Sequence, residues 1–139
     1  MVKKLTITKE FQWDCAHFLH DYKLTNEENK KIFGPCNNVH GHLYRLFVTV
    51  GSHGNSLTNG MIINFVLLKS MVNELVVKRF DHTNINDDVL YDNRLTTCEN
   101  QIQDIWDILD SEFNKMGIKL RKLKLYETPS SFAELENVN

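Results

Sequence analysis

The stretch Phe33–Val50, FGPCNNVHGHLYRLFVTV, decides the fold. From His40 its even positions read His, His, Tyr, Leu, Val, Val, an apolar stripe of period two that begins at a pair of histidines. This is the pattern of a strand with one buried face, and the stripe runs on the histidine side. Upstream, residues 5–17 alternate in the same way. Their odd positions read Leu, Ile, Lys, Phe, Trp, Cys, His against Thr, Thr, Glu, Gln, Asp, Ala on the even ones. Two such strands in succession pair antiparallel, which sets His17, at the end of the first, beside His40 and His42, at the start of the second. Between them lies a polar connection, residues 18–39. A loop of that length in a compact domain usually carries function, and this one returns to the histidine pair.

Downstream, GSHGNSLTNG (51–60) is a turn-rich break. Asn64 then caps a helix running to about Phe80, with Leu68, Met71, Val72 and Leu75 at helical spacing. DHTNINDDVLYDNRL (81–95) reads as irregular. Thr96 and Glu99 stand as a capping box would, ahead of the stripe Ile102, Ile105, Trp106, Leu109, Phe113 and Met116. In GIKLRKLKLYET (117–128), Ile118 and Leu120 have one parity and Leu123 and Leu125 the other, so a bulge is expected near Arg121 and Lys122. A short final strand is expected at 131–136. The order ββααββ predicts an α+β fold, an antiparallel sheet with two helices on one face.

A chain of 139 residues with 42% hydrophobic residues is expected to form a single domain, 1–139, without metal or disulfide staples. Sixteen Lys plus Arg against eighteen Asp plus Glu give a net charge of -2, which supplies no drive toward polyphosphate, so nucleic acid is not expected as a partner. No run is long enough to span a bilayer and the amino terminus lacks a signal-like apolar segment, so a cytoplasmic protein without membrane attachment is expected. Cys15, Cys36 and Cys98 are an odd number without paired spacing and are expected to be reduced thiols.

Residues i and i+2 on a strand project the same way, so His40, His42 and His17 converge as three nitrogen ligands for one ion would. Three neutral imidazoles leave the fourth position of a tetrahedral zinc open, as catalytic sites do. Hydrogen-bonded rim histidines fit the spacing equally well, as does a closed structural site with His20 or Cys36 as fourth ligand. His53, in a turn, reads as a solvated residue. Cys36 follows a Gly-Pro turn close to the proposed ion, where positive charge would favour its thiolate as base or nucleophile. Cys15 reads as core and Cys98 as structural. Asp81 and His82 adjoin, as a proton-transfer pair or an ordinary turn dipeptide would. Glu127 prolongs the apolar parity of Leu123 and Leu125 and needs a partner there: a ligand with N–H donors, or a lysine.

Taken together and in order, CAHFLH, CNNVHGHLY, GMIINF, FDHTNIN, TTCEN and YET resemble the 6-pyruvoyltetrahydropterin synthase and 6-carboxytetrahydropterin synthase family, over Phe11–Glu127. The resemblance implies the tunnelling fold (T-fold), a homohexamer built as a dimer of trimers, and active sites between subunits. It implies a zinc-dependent lyase acting on 7,8-dihydroneopterin triphosphate with loss of triphosphate. By position, His17, His40 and His42 match the family's zinc ligands and Cys36 its catalytic thiol. Asp81 and His82 match its proton relay, and Glu127 the acid that holds the pterin. Thr97 and Glu99 fall in the segment lining the pterin pocket. Lys23 and Arg94 are candidates for the triphosphate only because they lie in loops. Three residues separate Cys36 from His40, as is usual in the branch making 6-carboxytetrahydropterin, on the route to queuosine and other 7-deazapurines. Asn64 and NEENKKIFGPCNN look more like the biopterin branch, whose product is 6-pyruvoyltetrahydropterin. The gap, nearest the chemistry, favours the carboxy product. A zinc- and pterin-binding protein of this fold without turnover is the alternative from a different class.

Overall fold

The computed structural model describes residues 2–139. Strand β1 spans Ile7–His17, and its burial alternates so that Phe11, Trp13, Cys15 and His17 face inward. Strand β2, His40–Ser52, runs antiparallel to it, with Ile7 opposite Val50 and His17 opposite His40. Strand β3, Thr83–Asn84, lies parallel to β1; β4, Ile118–Thr128, and β5, Ser131–Glu136, continue antiparallel beyond β2. The order across the sheet is β3-β1-β2-β4-β5, so the sheet is mixed where an antiparallel one is expected from sequence. Two residues of β3 are too short for any period-two pattern to announce them.

Helix α2, Phe65–Val72, starts where Asn64 accepts from the Val66 N–H at 2.8 Å, and continues through a wider π-type turn, Asn73–Val77, into α3, Lys78–Phe80. Helix α4, Cys98–Asn114, buries Ile102, Ile105, Leu109 and Phe113 against the sheet. These helices and the inner sheet face enclose one core that includes Tyr44, Leu46, Leu68, Leu120, Leu123 and Leu125. Met116 lies past the helix end and is exposed, because Gly117 turns the chain into the left-handed region at φ 70.

The bulge falls where parity demands it. Thr49 pairs Lys122 and Val50 pairs Leu120, so Arg121 is the extra residue, and Leu120 and Leu123 both keep their side chains fully inside. Two further expectations are corrected. The connection 18–39 contains a further helix, α1, Asn26–Phe33, so the order ββααββ is incomplete. Its sequence NEENKKIF has no apolar stripe; a Thr25/Glu28 capping box starts it, and buried Asn29 anchors it by bonds to Asp21 at 2.7 and 3.0 Å. The cap of α4 is Thr97 rather than Thr96: its hydroxyl accepts from Asn100 N–H at 3.2 Å, leaving Thr96 fully buried.

Candidate active site

Register carries the three histidines to one place. His17 sits opposite His40 and Cys15 opposite His42, and one nitrogen from each of His17, His40 and His42 lies within 4.8 Å of the others. The Nδ1–H of His17 donates to the Thr96 carbonyl at 2.9 Å, and that of His40 to the Asn38 carbonyl at 2.6 Å. A carbonyl only accepts, so in both rings Nδ1 carries a proton, and in the neutral imidazole that leaves the lone pair on Nε2, the tautomer that ligates metals. Tyr44 Oη stands 3.5 Å from His17 Nε2, at the edge of hydrogen-bond range, and does not occupy it. In His42 the Nε2 is buried without a hydrogen-bond partner among the described residues.

The electrostatics agree. Burial pushes the His17 pKa down to about 4; the Thr96 carbonyl opposes this, while His40 and His42 add to it. Burial also lowers that of His42, with Glu127 opposing. The Glu127 carboxylate lies 3.9 Å from His17 Nε2 and 3.8 Å from His42 Nε2, a spacing that would be an ion pair only with charged imidazoles. Desolvation outweighs the carboxylate in His42, so both rings are neutral near pH 7 and the negative charge faces two uncharged nitrogens. Free lone pairs, an orphaned buried nitrogen and an adjacent anion together fit a divalent cation.

Beside the histidines opens a pocket of about 470 Å³, with Thr97, Glu99, Glu127, Leu19, Cys98 and Phe132 among its walls. The three candidate substrate-binding residues, Thr97, Glu99 and Glu127, thus meet in one cavity. Among the described residues no lysine or arginine comes within ion-pair range of Glu127. Cys98 donates its S–H to the Leu125 carbonyl at 3.4 Å, and burial pushes its pKa up to about 11, so this thiol is structural. Cys36 is exposed, in the tight turn Gly34–Asn37 that α1 leads into. The Leu19 N–H donates to the Cys36 carbonyl at 2.8 Å, and Asn37 Nδ2 donates to the Leu19 carbonyl at 2.9 Å. These bonds tether the Cys36 turn to Leu19, at the pocket wall. Neither Cys36 nor His20 belongs to the histidine cluster, so the closed four-ligand alternative is not formed.

A model of the family described as 6-pyruvoyl tetrahydropterin synthase matches residues 6–138. The chain belongs to this family. It is 36% identical to the human 6-pyruvoyl tetrahydrobiopterin synthase over 128 residues, 90% of this chain and 86% of that protein. With the 6-carboxy-5,6,7,8-tetrahydropterin synthase of Haemophilus influenzae it shares 28% over 153 aligned residues, 94% of this chain and 97% of that one. A solved 6-pyruvoyl tetrahydropterin synthase from Caenorhabditis elegans superposes at a TM-score of 0.84 with 31% identity, over 97% of this chain and 96% of that chain. The α+β fold is thus the T-fold of the family.

Asp81 and His82 are not brought to the histidines within one chain. They cluster instead with Asp14, which projects from the other face of β1. The His82 backbone N–H donates to the Asp14 carbonyl at 2.6 Å, the Asp14 N–H donates to Asp81 Oδ1 at 3.0 Å, and Asp81 Oδ2 meets His82 Nδ1 at 2.8 Å. Asp81 raises the His82 pKa, and the imidazole in turn lowers that of Asp81. His82 adopts φ 58 and borders an open cleft of about 580 Å³ with Asp14, Gly41 and Leu43. Arg94 is committed to Asp104, at 3.2 and 3.3 Å, rather than offered to an anion. Lys23 lies in the turn before α1, where its N–H donates to Asp21.

Three residues escape the sequence reading. The Thr96 carbonyl accepts from the His17 Nδ1–H; buried Gln101 donates to the Thr96 carbonyl at 2.9 Å and to Tyr44 Oη at 3.2 Å; and Tyr44 stands behind His17 and His42. The signal for Gln101 was available: it sits one helical turn before Ile105, on the apolar stripe of α4, where an amide demands partners.

Proposed function

We propose that the protein is a zinc-dependent lyase that eliminates triphosphate from 7,8-dihydroneopterin triphosphate. The observation that carries this reading is the set of two oriented imidazoles and one orphaned imidazole nitrogen beside the Glu127 pocket. His17, His40 and His42 would hold the ion, which supplies Lewis-acid polarisation of the substrate side chain and acidifies its C–H. Glu127 accepts from the amino and ring N–H groups of the pterin, while Thr97 and Glu99 flank the ring. Cys36, as thiolate, takes the side-chain proton, and His82, held by Asp81, returns one. Because Asp81 and His82 lie apart from the three histidines, this relay supports an assembly in which His82 of a neighbouring copy completes the site, as in the hexamers of the resemblance.

For the product, the three-residue gap between Cys36 and His40 supports 6-carboxytetrahydropterin. The 36% identity to the human 6-pyruvoyl tetrahydrobiopterin synthase, against 28% to the 6-carboxy-5,6,7,8-tetrahydropterin synthase of Haemophilus influenzae, supports 6-pyruvoyltetrahydropterin as the second reading. The test is incubation of zinc-loaded protein, and of a Cys36→Ala variant, with the substrate, followed by mass analysis. Triphosphate release with either pterin is expected from the parent, and the mass assigns the branch. No release by the parent sinks the enzyme reading, while full turnover by Cys36→Ala sinks the role of the thiol.

A further inference from the structure

The Glu127 carboxylate faces two ways. It lines the pocket with Thr97 and Glu99, and its two oxygens lie 3.8 and 3.9 Å from the ligating nitrogens of His42 and His17. Donor atoms sharing a tetrahedral ion at about 2.0–2.1 Å are roughly 3.3 Å apart, so each oxygen stands beyond ligand spacing from its own histidine, Oε2 from His17 and Oε1 from His42, and the carboxylate joins the three-histidine cluster only by turning one oxygen toward all three nitrogens. No lysine or arginine among the described residues ties it elsewhere, and its side chain is 29% exposed, free to turn.

The role given to Glu127 above, gripping the amino and N–H edge of a pterin, conflicts with that position. Two fused rings separate that edge from the carbon bearing the side chain. A carboxylate holding the edge of a substrate whose side chain reaches the metal is therefore a ring system away from the metal. One carboxylate does not serve both places at once.

We infer that Glu127 is a two-position carboxylate: in the empty site it closes the fourth position of the histidine-bound metal, and an arriving pterin draws it away and opens that position. The inference rests on the proposed function for the identity of the ligand. It has a thermodynamic consequence. If the pterin removes a ligand from the metal, the metal and a pterin without a side chain weaken each other's binding by the same factor. Water reaches an open metal site and protonates or hydrolyses what is held there, so a carboxylate that yields only to the correct ring also keeps the resting site closed.

The test measures zinc affinity by chelator competition, and the visible spectrum of the cobalt-substituted protein, for the parent, Glu127→Gln and Glu99→Gln. The probe is pterin itself, which carries no side chain at C6. Glu127→Gln is expected to weaken zinc binding about 10-fold, in the range found when groups supporting a metal site are removed. Glu99→Gln, which alters the same pocket without facing the histidines, leaves it within 2-fold. Saturating pterin is expected to weaken zinc binding by the parent by a similar factor, to shift the cobalt spectrum toward that of Glu127→Gln, and to change neither in Glu127→Gln. Equal zinc affinity in the parent and Glu127→Gln overturns the inference while leaving the three-histidine site intact. A weakened variant with no effect of pterin on the parent also overturns it, since the carboxylate is then a fixed ligand. Failure of the parent to bind zinc at all overturns the proposed function along with it.

Discussion

Replacing Gln101 by Leu tests whether the buried polar layer under His17 holds the three-histidine site in shape. The Gln101 side-chain amide donates to the Thr96 carbonyl at 2.9 Å and to Tyr44 Oη at 3.2 Å, and Gln101, Thr96 and Tyr44 are 3%, 0% and 0% exposed. Leucine has similar bulk, so the change removes hydrogen bonds with little cavity. The Thr96 carbonyl keeps the His17 Nδ1–H, while the Tyr44 hydroxyl loses its donor in a dry interior, at a cost of about 1–3 kcal/mol. A loss near 2 kcal/mol in a domain of this size lowers Tm by about 8 °C. Because Gln101 and His17 share the Thr96 carbonyl, the ring of His17 loses part of its orientation, and zinc affinity is expected to fall about 10-fold. Calorimetry of the metal-free protein and chelator competition measure the two effects separately. Gln103→Leu, whose amide bonds only the Glu99 carbonyl at the exposed face of the same helix, is the control, with a change within about 0.5 kcal/mol. A Gln101→Leu protein that loses stability but binds zinc within 2-fold of the parent refutes the claim that this layer positions His17.

Other expectations follow from the geometry around the site. In the Asp81–His82 pair the carboxyl pKa is lowered and the imidazole pKa raised, so the attraction is present between the two values. It is lost as pH falls through that of Asp81 and as pH rises through that of His82. Proton NMR should therefore show His82 titrating above about 6.5 in the parent and lower in Asp81→Asn; an unchanged midpoint contradicts the pairing. Thr25→Ala removes the hydroxyl that accepts from Glu28 N–H at 3.1 Å, costing about 1 kcal/mol at the start of α1. Amide exchange in α1 should quicken about 5-fold, and thiol reagents should reach Cys36 at an altered rate if this helix seats its turn. Deleting Arg121 removes the unpaired bulge residue and leaves Leu120 and Leu123 two positions apart on one face, so Leu123, Leu125 and Glu127 keep their register. A folded protein is expected by circular dichroism, whereas deleting Lys124, which turns Leu125 and Glu127 to the opposite face, is expected to lose the fold; the reverse outcome refutes the bulge assignment.

What was legible in the sequence depended on whether a neighbour along the chain, or one across the fold, sets the conformation. Strands β1 and β2, their pairing and the meeting of His17 with His40 follow from parity alone, because burial of one face fixes register to a single residue. The bulge at Arg121 was readable for the same reason. Helix α1 was not, since its outer residues are polar and its hold on the fold is a buried asparagine bonding a turn eight residues upstream. Beside it, the placement of Cys36 depends on backbone bonds to Leu19, for which side-chain patterns carry no sign.

The adjacent threonines show how a one-residue question at a helix start reaches the candidate chemistry. Local rules favour Thr96 as cap, because Glu99 stands three residues on and would complete the box. In the fold Thr97 takes the cap and Glu99 points into the pocket. Both changes have one cause. The Thr96 carbonyl is needed by His17 and Gln101, and its hydroxyl by the Phe18 carbonyl at 3.0 Å, so the residue is drawn beneath the end of β1 and the helix starts one step later. A capping box at Thr96 would have spent Glu99 on its own backbone. Setting the start at Thr97 releases a carboxylate to the pocket wall and a carbonyl to the histidine. The site is thus assembled where the tertiary demand of a buried imidazole, which must place its proton, outweighs a local capping preference of about 1 kcal/mol.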